Sequence, residues 1–302
     1  MNSRQLQYAI LLSQTLNFSQ VAEELNISQP ALSKQIMSLE KELNVKLFDR
    51  STVPLTLTPA GESFIKDAKE ILFKEEQLKR SMEDFKSQKK GRLEIGVSPF
   101  RCLYFMPDII KKLREAFPDL QIVLHEANST QLHKWAVDGS LDFIIMNLPV
   151  DEALLDIVPL KKENLILAVP NELKALLPEP QIIADKPYPL IDLAKCEKLP
   201  FIVLSPQQEL RQLFDKICIT SGLRAEIITE VIGITSAWSM ARAGVGATVL
   251  PMQFLENNTL LDNLSFYMFD SESAQRQPAV ITRKGQHISK YAKYAIDLLK
   301  NM

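Results

Sequence analysis

Residues 18–50 read FSQVAEELNISQPALSKQIMSLEKELNVKLFDR, and residues 55–61 read LTLTPAG. Val21, Ala22 and Leu25 share one helical face behind Ser19, the expected N-cap, and Asn26 then breaks the run. Ser28 caps a second helix with Pro30 at its second position, where first-turn N–H groups have no intrahelical partner to lose. On that helix Leu32, Ile36, Leu39 and Leu43 recur at helical spacing and must face a core. The opposite face carries Pro30, Ser33, Lys34, Met37 and Lys41, with Gln29 at its tip. Upstream, residues 4–15 form another helix with Leu6, Ala9, Ile10 and Leu12 inward. Two helices joined by a tight turn, the second tipped with Gln, Ser and Lys, suit the major groove of duplex DNA. That groove admits one helix, and glutamine can bond an adenine edge with both ends of its amide. A three-helix bundle with a solvated polar face fits the same pattern equally well.

Working outward, the β-prone runs 46–48 and 55–57 flank a Pro-containing turn and read as a wing. Thr58 and Pro59 then start a long helix to about residue 88, in which Phe64, Ala68, Ile71, Glu75, Leu78, Met82 and Phe85 follow alternating spacings of four and three. An apolar seam interrupted only by Glu75 predicts a dimerisation helix; the alternative is an amphipathic helix packed on its own chain. KSQKKGR (86–92) marks a boundary. Beyond it short apolar strands alternate with helices, at 93–97, 120–125, 143–146, 165–169, 201–204, 227–231 and 248–250. Such alternation predicts an α/β fold of parallel sheets covered by helices. The expected domains are 1–58 (winged helix-turn-helix), 59–90 (linker helix) and 91–302.

Composition sets limits on function. The 302 residues suit two or three domains, and the formal net charge is −2. Lys and Arg number five in residues 1–60, against five Asp and Glu, which is unlike the basic footprint of most nucleic-acid binders. DNA binding would therefore need clustered cations and helix N-termini that hold phosphates. Cys102, Cys196 and Cys218 lie far apart and form no CxxC pair, and His125, His133 and His287 form no HExxH spacing, so no metal or cofactor is expected. The N-terminus lacks the features of a secretory signal, and no run of about 18 apolar residues occurs, so a cytoplasmic protein without a membrane partner is expected. No G-x-S-x-G, P-loop or G-x-G-x-x-G occurs, and ARAGVGA (241–247) lacks the spacing of a dinucleotide site, so no catalytic residues are assigned. A plain solute-binding protein would carry a signal peptide and no helix-turn-helix. A third rival is a redox switch between Cys196 and Cys218, with Lys195 and Lys198 the neighbouring cations.

SQPALSKQI (28–36), the run LE-x-EL-x-V-x-LF-x-R (39–50) and LT-x-AG (57–61), in this order, closely resemble the DNA-binding region of LysR-type transcriptional regulators. The resemblance continues more weakly through LEIGVS (93–98), FPDLQIVLHEANS (117–129), DGSLDFIIMN (138–147) and ARAGVGATVLP (241–251), and so covers essentially the whole chain. It implies a two-lobed α/β effector domain like periplasmic solute-binding proteins, with lobe I at 91–161 and 269–302 and lobe II at 162–268. It also implies a small effector in the cleft, homodimers through the linker helix, homotetramers that bend double-stranded promoter DNA, and RNA polymerase as a further partner. Gln29, Pro30, Ser33 and Lys34 match the recognition-helix positions, and Arg50 matches the arginine beside the wing. Val53 stands where many relatives have a further wing arginine, which implies one phosphate or minor-groove contact fewer.

In open α/β sheets ligands sit beyond the carboxyl ends of strands, where helix N-termini offer N–H groups. The candidates by chain position are Ser98, Pro99, Phe100 and Arg101; Asn128, Ser129 and Thr130; Asn147; and, in the other lobe, Leu204, Ser205, Gly233, Ile234, Thr235 and Gly246. Ser98, Ser129 and Thr130 suit a carboxylate or similar oxyanion, or serve merely as helix caps. Arg101 suits an anion or points to solvent, while Phe100, Leu204 and Ile234 favour a partly apolar effector.

Overall fold

The computed structural model describes residues 1–51, 54–86, 91–256, 262–269 and 274–301, the side chains of 83–86 and 256 excepted. The chain divides into two compact units, Met1–Gln88 and Lys89–Met302.

The first unit holds α1 (Ser3–Thr15), α2 (Phe18–Glu24), α3 (Gln29–Leu43), a two-stranded wing of β1 (Phe48–Asp49) and β2 (Thr56–Leu57), and α4 (Pro59–Lys86). Asn2 and Gln5 form a capping box on α1. Asn17, not Ser19, caps α2: its carboxamide oxygen accepts from the Ser19 and Gln20 amides, so the helix begins one residue before the expected cap. Asn26 takes a left-handed φ of 53°, turning the chain into α3, which Ser28 caps and Asn44 (φ 54°) ends. Leu32, Ile36 and Leu39 are fully buried with Ala9, Leu12, Val21, Leu47, Phe48 and Ile65. Each such aliphatic side chain contributes about 1.5–3 kcal/mol.

Glu40 explains the LE-x-EL-x-V-x-LF-x-R spacing. It is 3 % exposed, and its Oε1 accepts the Leu47 and Phe48 amides at 2.9 and 3.2 Å, while Oε2 lies 3.3 Å from Arg50 Nη2. The buried carboxylate thus ties the α3–β1 turn to the wing. LT-x-AG has an equally local cause: Thr58 Oγ1 accepts the Gly61 amide at 3.0 Å, and a Cβ on Gly61 would stand 2.1 Å from the Leu47 carbonyl oxygen. Only glycine lets α4 start against the wing.

Among the described residues the second unit contains three sheets. In the order β4-β3-β5-β14-β6, lobe I uses β3 (Arg92–Val97), β4 (Gln121–Glu126), β5 (Phe143–Asn147), β6 (Leu155–Pro159) and β14 (Pro278–Arg283). Its helices are α5 (Pro99–Tyr104), α6 (Met106–Ala116), α7 (Ser129–Asp138) and α11 (Lys290–Lys300). Lobe II has β7 (Glu163–Pro170) between β11 (Thr248–Pro251) and β12 (Leu264–Phe269), with β8 (Leu190–Ile191) beyond β12. β9 (Pro200–Leu204) and β10 (Glu226–Val231) pair in parallel, and a bridge from Phe201 to Ala247 brings β9 beside β11. α8 (Glu209–Ser221), α9 (Ile234–Arg242) and α10 (Gln253–Glu256) complete this lobe. Phe269 pairs with Ile191, so β12 extends lobe II to the residue at which the sequence reading begins the return to lobe I.

The sheets are mixed rather than wholly parallel. β3 runs parallel to β4 and β5, but β14 runs antiparallel to β5 and β6, and β7 antiparallel to β11 and β12. The reason is the double crossing: β14 re-enters lobe I from the opposite direction. Both crossing segments meet where β13 (Gln275–Arg276) pairs with β7, Gln275 against Asn164 and Arg276 against Glu163. Among the described residues no helix is long and apolar enough to cross a membrane.

Candidate DNA-reading surface and effector cavity

Ser28 leaves the tip of α3 clear: Gln29, Pro30 and Lys34 are exposed and Ser33 is half-buried. Arg50 is held by its own chain, with Glu40 at 3.3 Å and the Phe18 ring 5.3 Å from its guanidinium carbon. Val53 lies outside the described residues.

The α4 seam divides. Ala68 is buried and Phe64 packs on the helix-turn-helix core, so both are covered within the single chain. Ile71, Leu78 and Met82 stay exposed at 47, 61 and 46 %. Glu75, the break in the seam, accepts from the Ser3 hydroxyl at 2.5 Å and pairs with Lys79. These contacts hold its carboxyl below the usual value, the Ser3 bond foremost. The Phe85 side chain lies outside the described residues.

In the second unit a cavity of about 590 Å³ opens between the lobes. Of the expected effector residues, Ser98, Pro99, Phe100, Asn128, Ser129, Leu204, Ile234 and Thr235 line it, together with Gly233. The helix starts explain this convergence. Ser98 caps α5, accepting the Arg101 amide at 3.4 Å, and Asn128 caps α7, accepting the Gln131 amide at 3.0 Å. Capping is therefore a role both residues do fill. α9 begins at Gly233 with no side-chain cap and no acidic residue in its first turn, which leaves its N-terminal dipole uncompensated.

Five expected residues lie away from the cavity. Thr130 is exposed on α7. Ser205 forms the turn between β9 and α8, its amide donating to the Val231 carbonyl. Gly246 is a packing glycine, since a Cβ there would meet the Pro200 carbonyl oxygen at 2.8 Å. Arg101, far from pointing to solvent, is 3 % exposed: Nη1 donates to Glu163 Oε1 at 2.7 Å and Nη2 to Asn147 Oδ1 at 2.6 Å. Asn147 in turn donates Nδ2 to Glu209 Oε2 at 2.5 Å, so its amide links the lobes instead of facing the cavity.

Arg276, like Glu126 and Glu209, is a cavity residue that sequence reasoning missed. It lines the cavity at 8 % exposure; Nε donates to Glu163 Oε2 at 2.6 Å, and its guanidinium lies 5.2 Å from the Phe100 ring centroid. Among the described residues its buried Nη2 has no hydrogen-bond partner. Glu163 thus serves two guanidiniums and neutralises one. Burial alone raises the Glu163 carboxyl, but attraction to Arg276 and Arg101 outweighs it and holds the group below its ordinary value. Phe100, Tyr104, Phe254 and Trp238 form the adjoining apolar wall.

The cysteines give no support to a thiol switch. Burial pushes Cys196 and Cys218 up to about 11, helped by Asp192 and Asp215 respectively, so both stay protonated near neutrality.

Residues 3–62 match the family model for bacterial regulatory helix-turn-helix proteins of the lysR family, and residues 86–302 match the LysR substrate binding domain. The chain is 31 % identical to an uncharacterised HTH-type transcriptional regulator, YcgK, of Bacillus subtilis, over 83 % of this chain and 80 % of that protein. It is 29 % identical to the transcriptional dual regulator OxyR of Escherichia coli, over 98 and 94 %. In fold it is similar to a full-length OxyR variant from Pseudomonas aeruginosa (TM-score 0.65, 22 % identity, 99 and 98 % covered). It is likewise similar to the LysR family regulator CbnR (TM-score 0.59, 18 %, 100 and 99 %). With one family model on each unit and a relative above 30 % identity, the chain belongs to the LysR family of DNA-binding transcriptional regulators, which carry an effector-binding domain and are not enzymes.

Proposed function

We propose that the chain acts in the cytoplasm as a homo-oligomer, reads its promoter through Gln29, Pro30, Ser33 and Lys34, and takes an effector with an anionic group into the interlobe cavity. The observation that carries the effector reading is Arg276, a residue of the cavity lining whose Nη2 is buried with no hydrogen-bond partner among the described residues. An unsatisfied donor of a buried cation costs free energy that an incoming oxyanion recovers. Arg50, held by Glu40, supports the wing beside the DNA. The likeness to peroxide-inducible activators does not extend to this chain's thiols, since burial pushes Cys102, Cys196 and Cys218 each up to about 11.

Two measurements test the two ends. Gln29→Ala is expected to weaken binding to a duplex selected with the wild-type chain by about 1–3 kcal/mol while leaving unrelated duplexes nearly unaffected. Anisotropy titrations on both duplexes check this; equal loss on both would show that Gln29 makes no base contact. For the cavity, an oxyanion bound at 100 times its Kd is expected to raise the melting temperature of the effector unit by about 5–10 °C. Arg276→Lys, which keeps the charge beside Glu163, should lose at least half of that shift. Full retention would place the ligand elsewhere.

The closing of the cleft around such a ligand supplies a mechanism. Asn147 already bridges Arg101 of lobe I to Glu209 of lobe II. A ligand that binds one lobe arrangement better than another shifts the population toward it by its differential affinity. Altered spacing of the DNA-binding heads, and so altered bending, follows if the oligomer is joined through these lobes.

A further inference from the structure

The charges on the cavity wall say more about the effector than that it carries an anion. The inference that follows rests on the reading that the interlobe cavity is the effector site. Among the described residues three charged side chains line the cavity: Arg276, Glu126 and Glu209. Behind the wall Arg101 and Glu163 offset one another, so the lining carries one guanidinium against two carboxylates. The carboxylates stand on opposite lobes, Glu126 at the end of β4 and Glu209 in the first turn of α8. Glu126 bonds the Cys102 thiol, which burial first and then this carboxylate push up to about 11. Glu209 accepts from Asn147 and attracts Arg276, without being one of its hydrogen-bond partners.

A simple carboxylate would satisfy Arg276 Nη2 and the uncapped start of α9 but would add a third negative charge between Glu126 and Glu209. A simple cation would suit the two carboxylates and leave the buried guanidinium donor unmet. The buried guanidinium is stabilised by an anion, and the two carboxylates favour a cation where a bound ligand shields them from water. We propose that the effector is dipolar, with an anionic group held by Arg276 Nη2 and the α9 N-terminus and an ammonium or similar cationic group facing Glu126 and Glu209. Phe100, Leu103, Leu204, Leu210 and Ile234 give the remaining wall an apolar character, which suits an amino acid or a close analogue with an apolar side chain.

The test melts the full-length chain with each of the twenty amino acids, then titrates every hit by calorimetry beside its des-amino acid and its decarboxylated amine. At least one amino acid is expected to bind, with both truncated analogues at least tenfold weaker. Glu126→Gln or Glu209→Gln should weaken the amino acid and strengthen the des-amino acid, because the substitution removes attraction from the one and repulsion from the other. Both positions are partly or fully exposed and the change is isosteric, so folding should survive, and the melting temperature without ligand checks it. No binding by any amino acid overturns the proposal. A des-amino acid that binds as well as its parent, is lost in Arg276→Lys and ignores both glutamine variants overturns the dipolar assignment and leaves the cavity reading standing. A ligand indifferent to Arg276→Lys and to both glutamines overturns the cavity reading itself.

Discussion

Glu163→Ala is expected to destabilise the effector unit by about 3–5 kcal/mol, because it leaves two buried guanidiniums without their shared carboxylate. Arg101 and Arg276 are 3 and 8 % exposed and both point at Glu163, so neither can turn to water without opening the join between the lobes. Trp135 and Trp238, the chain's only tryptophans, both fall within 91–302, so urea unfolding followed by tryptophan fluorescence reports this unit alone. A loss under about 1 kcal/mol would mean that solvent reaches the cluster and screens it. The pH dependence has a definite sign. Glu163 sits below its ordinary value of 4.5 because the two arginines outweigh the effect of burial. Its stabilisation is therefore complete above the unfolded value and disappears as pH falls through the folded one. The wild-type curve should drop in that acid window, and Glu163→Gln should lack this part of the drop. Parallel curves would assign the acid sensitivity to other carboxylates.

Leu78→Glu is expected to convert the oligomer into a smaller species with an unchanged fold. Ile71, Leu78 and Met82 form the exposed part of the α4 seam, and Leu78 is the most exposed of the three. Burying a leucine contributes about 1.5–3 kcal/mol, and a two-fold interface counts it twice, so its loss weakens association by about 3–6 kcal/mol, roughly a factor of 10² to 10⁴. The added carboxylates repel across the same interface. Sedimentation at micromolar concentration distinguishes the outcomes; an unaltered oligomer would exclude this face. Ala68→Glu is a poor substitute, because Ala68 is buried within the single chain and the fold itself would suffer.

The DNA-binding unit was legible because its signals are local. Ser28, Pro30 and Asn26 set helix ends within a few residues, and Leu32, Ile36 and Leu39 mark the buried face by spacing alone. Glu40 escaped notice because a glutamate in LEKEL looks like any solvated helix residue. Its burial depends on the chain turning back after Asn44 to offer two amides. In the effector unit the missed strands are β6, β8, β12, β13 and β14. Pro159 and Pro278 made two of them look like breaks, and β14 pairs with β5 across some 130 residues, which no window of sequence can show. Arg276 was invisible for the same reason. Its immediate neighbours, AQRQP (274–278), form no motif, and its role arises from register with Glu163, 113 positions away. The helix-start residues Ser98, Asn128, Ser129 and Ile234 could be placed from topology, because strand ends converge in this architecture. The cation between them could not.

β13 and the first residues of β7 are stitched to each other at Arg276–Glu163 and Gln275–Asn164, and they form the passage from one lobe to the other. A ribbon two strands wide resists stretching, since its bond lengths are fixed, but yields to torsion. Such a connection would resist separation of the lobes more than it resists their rotation. The unpaired guanidinium nitrogen lies on this fulcrum. A ligand that grips it acts as a torque, and a slight twist at the axis becomes its largest displacement at the outer edges of the lobes, far from any atom the ligand touches.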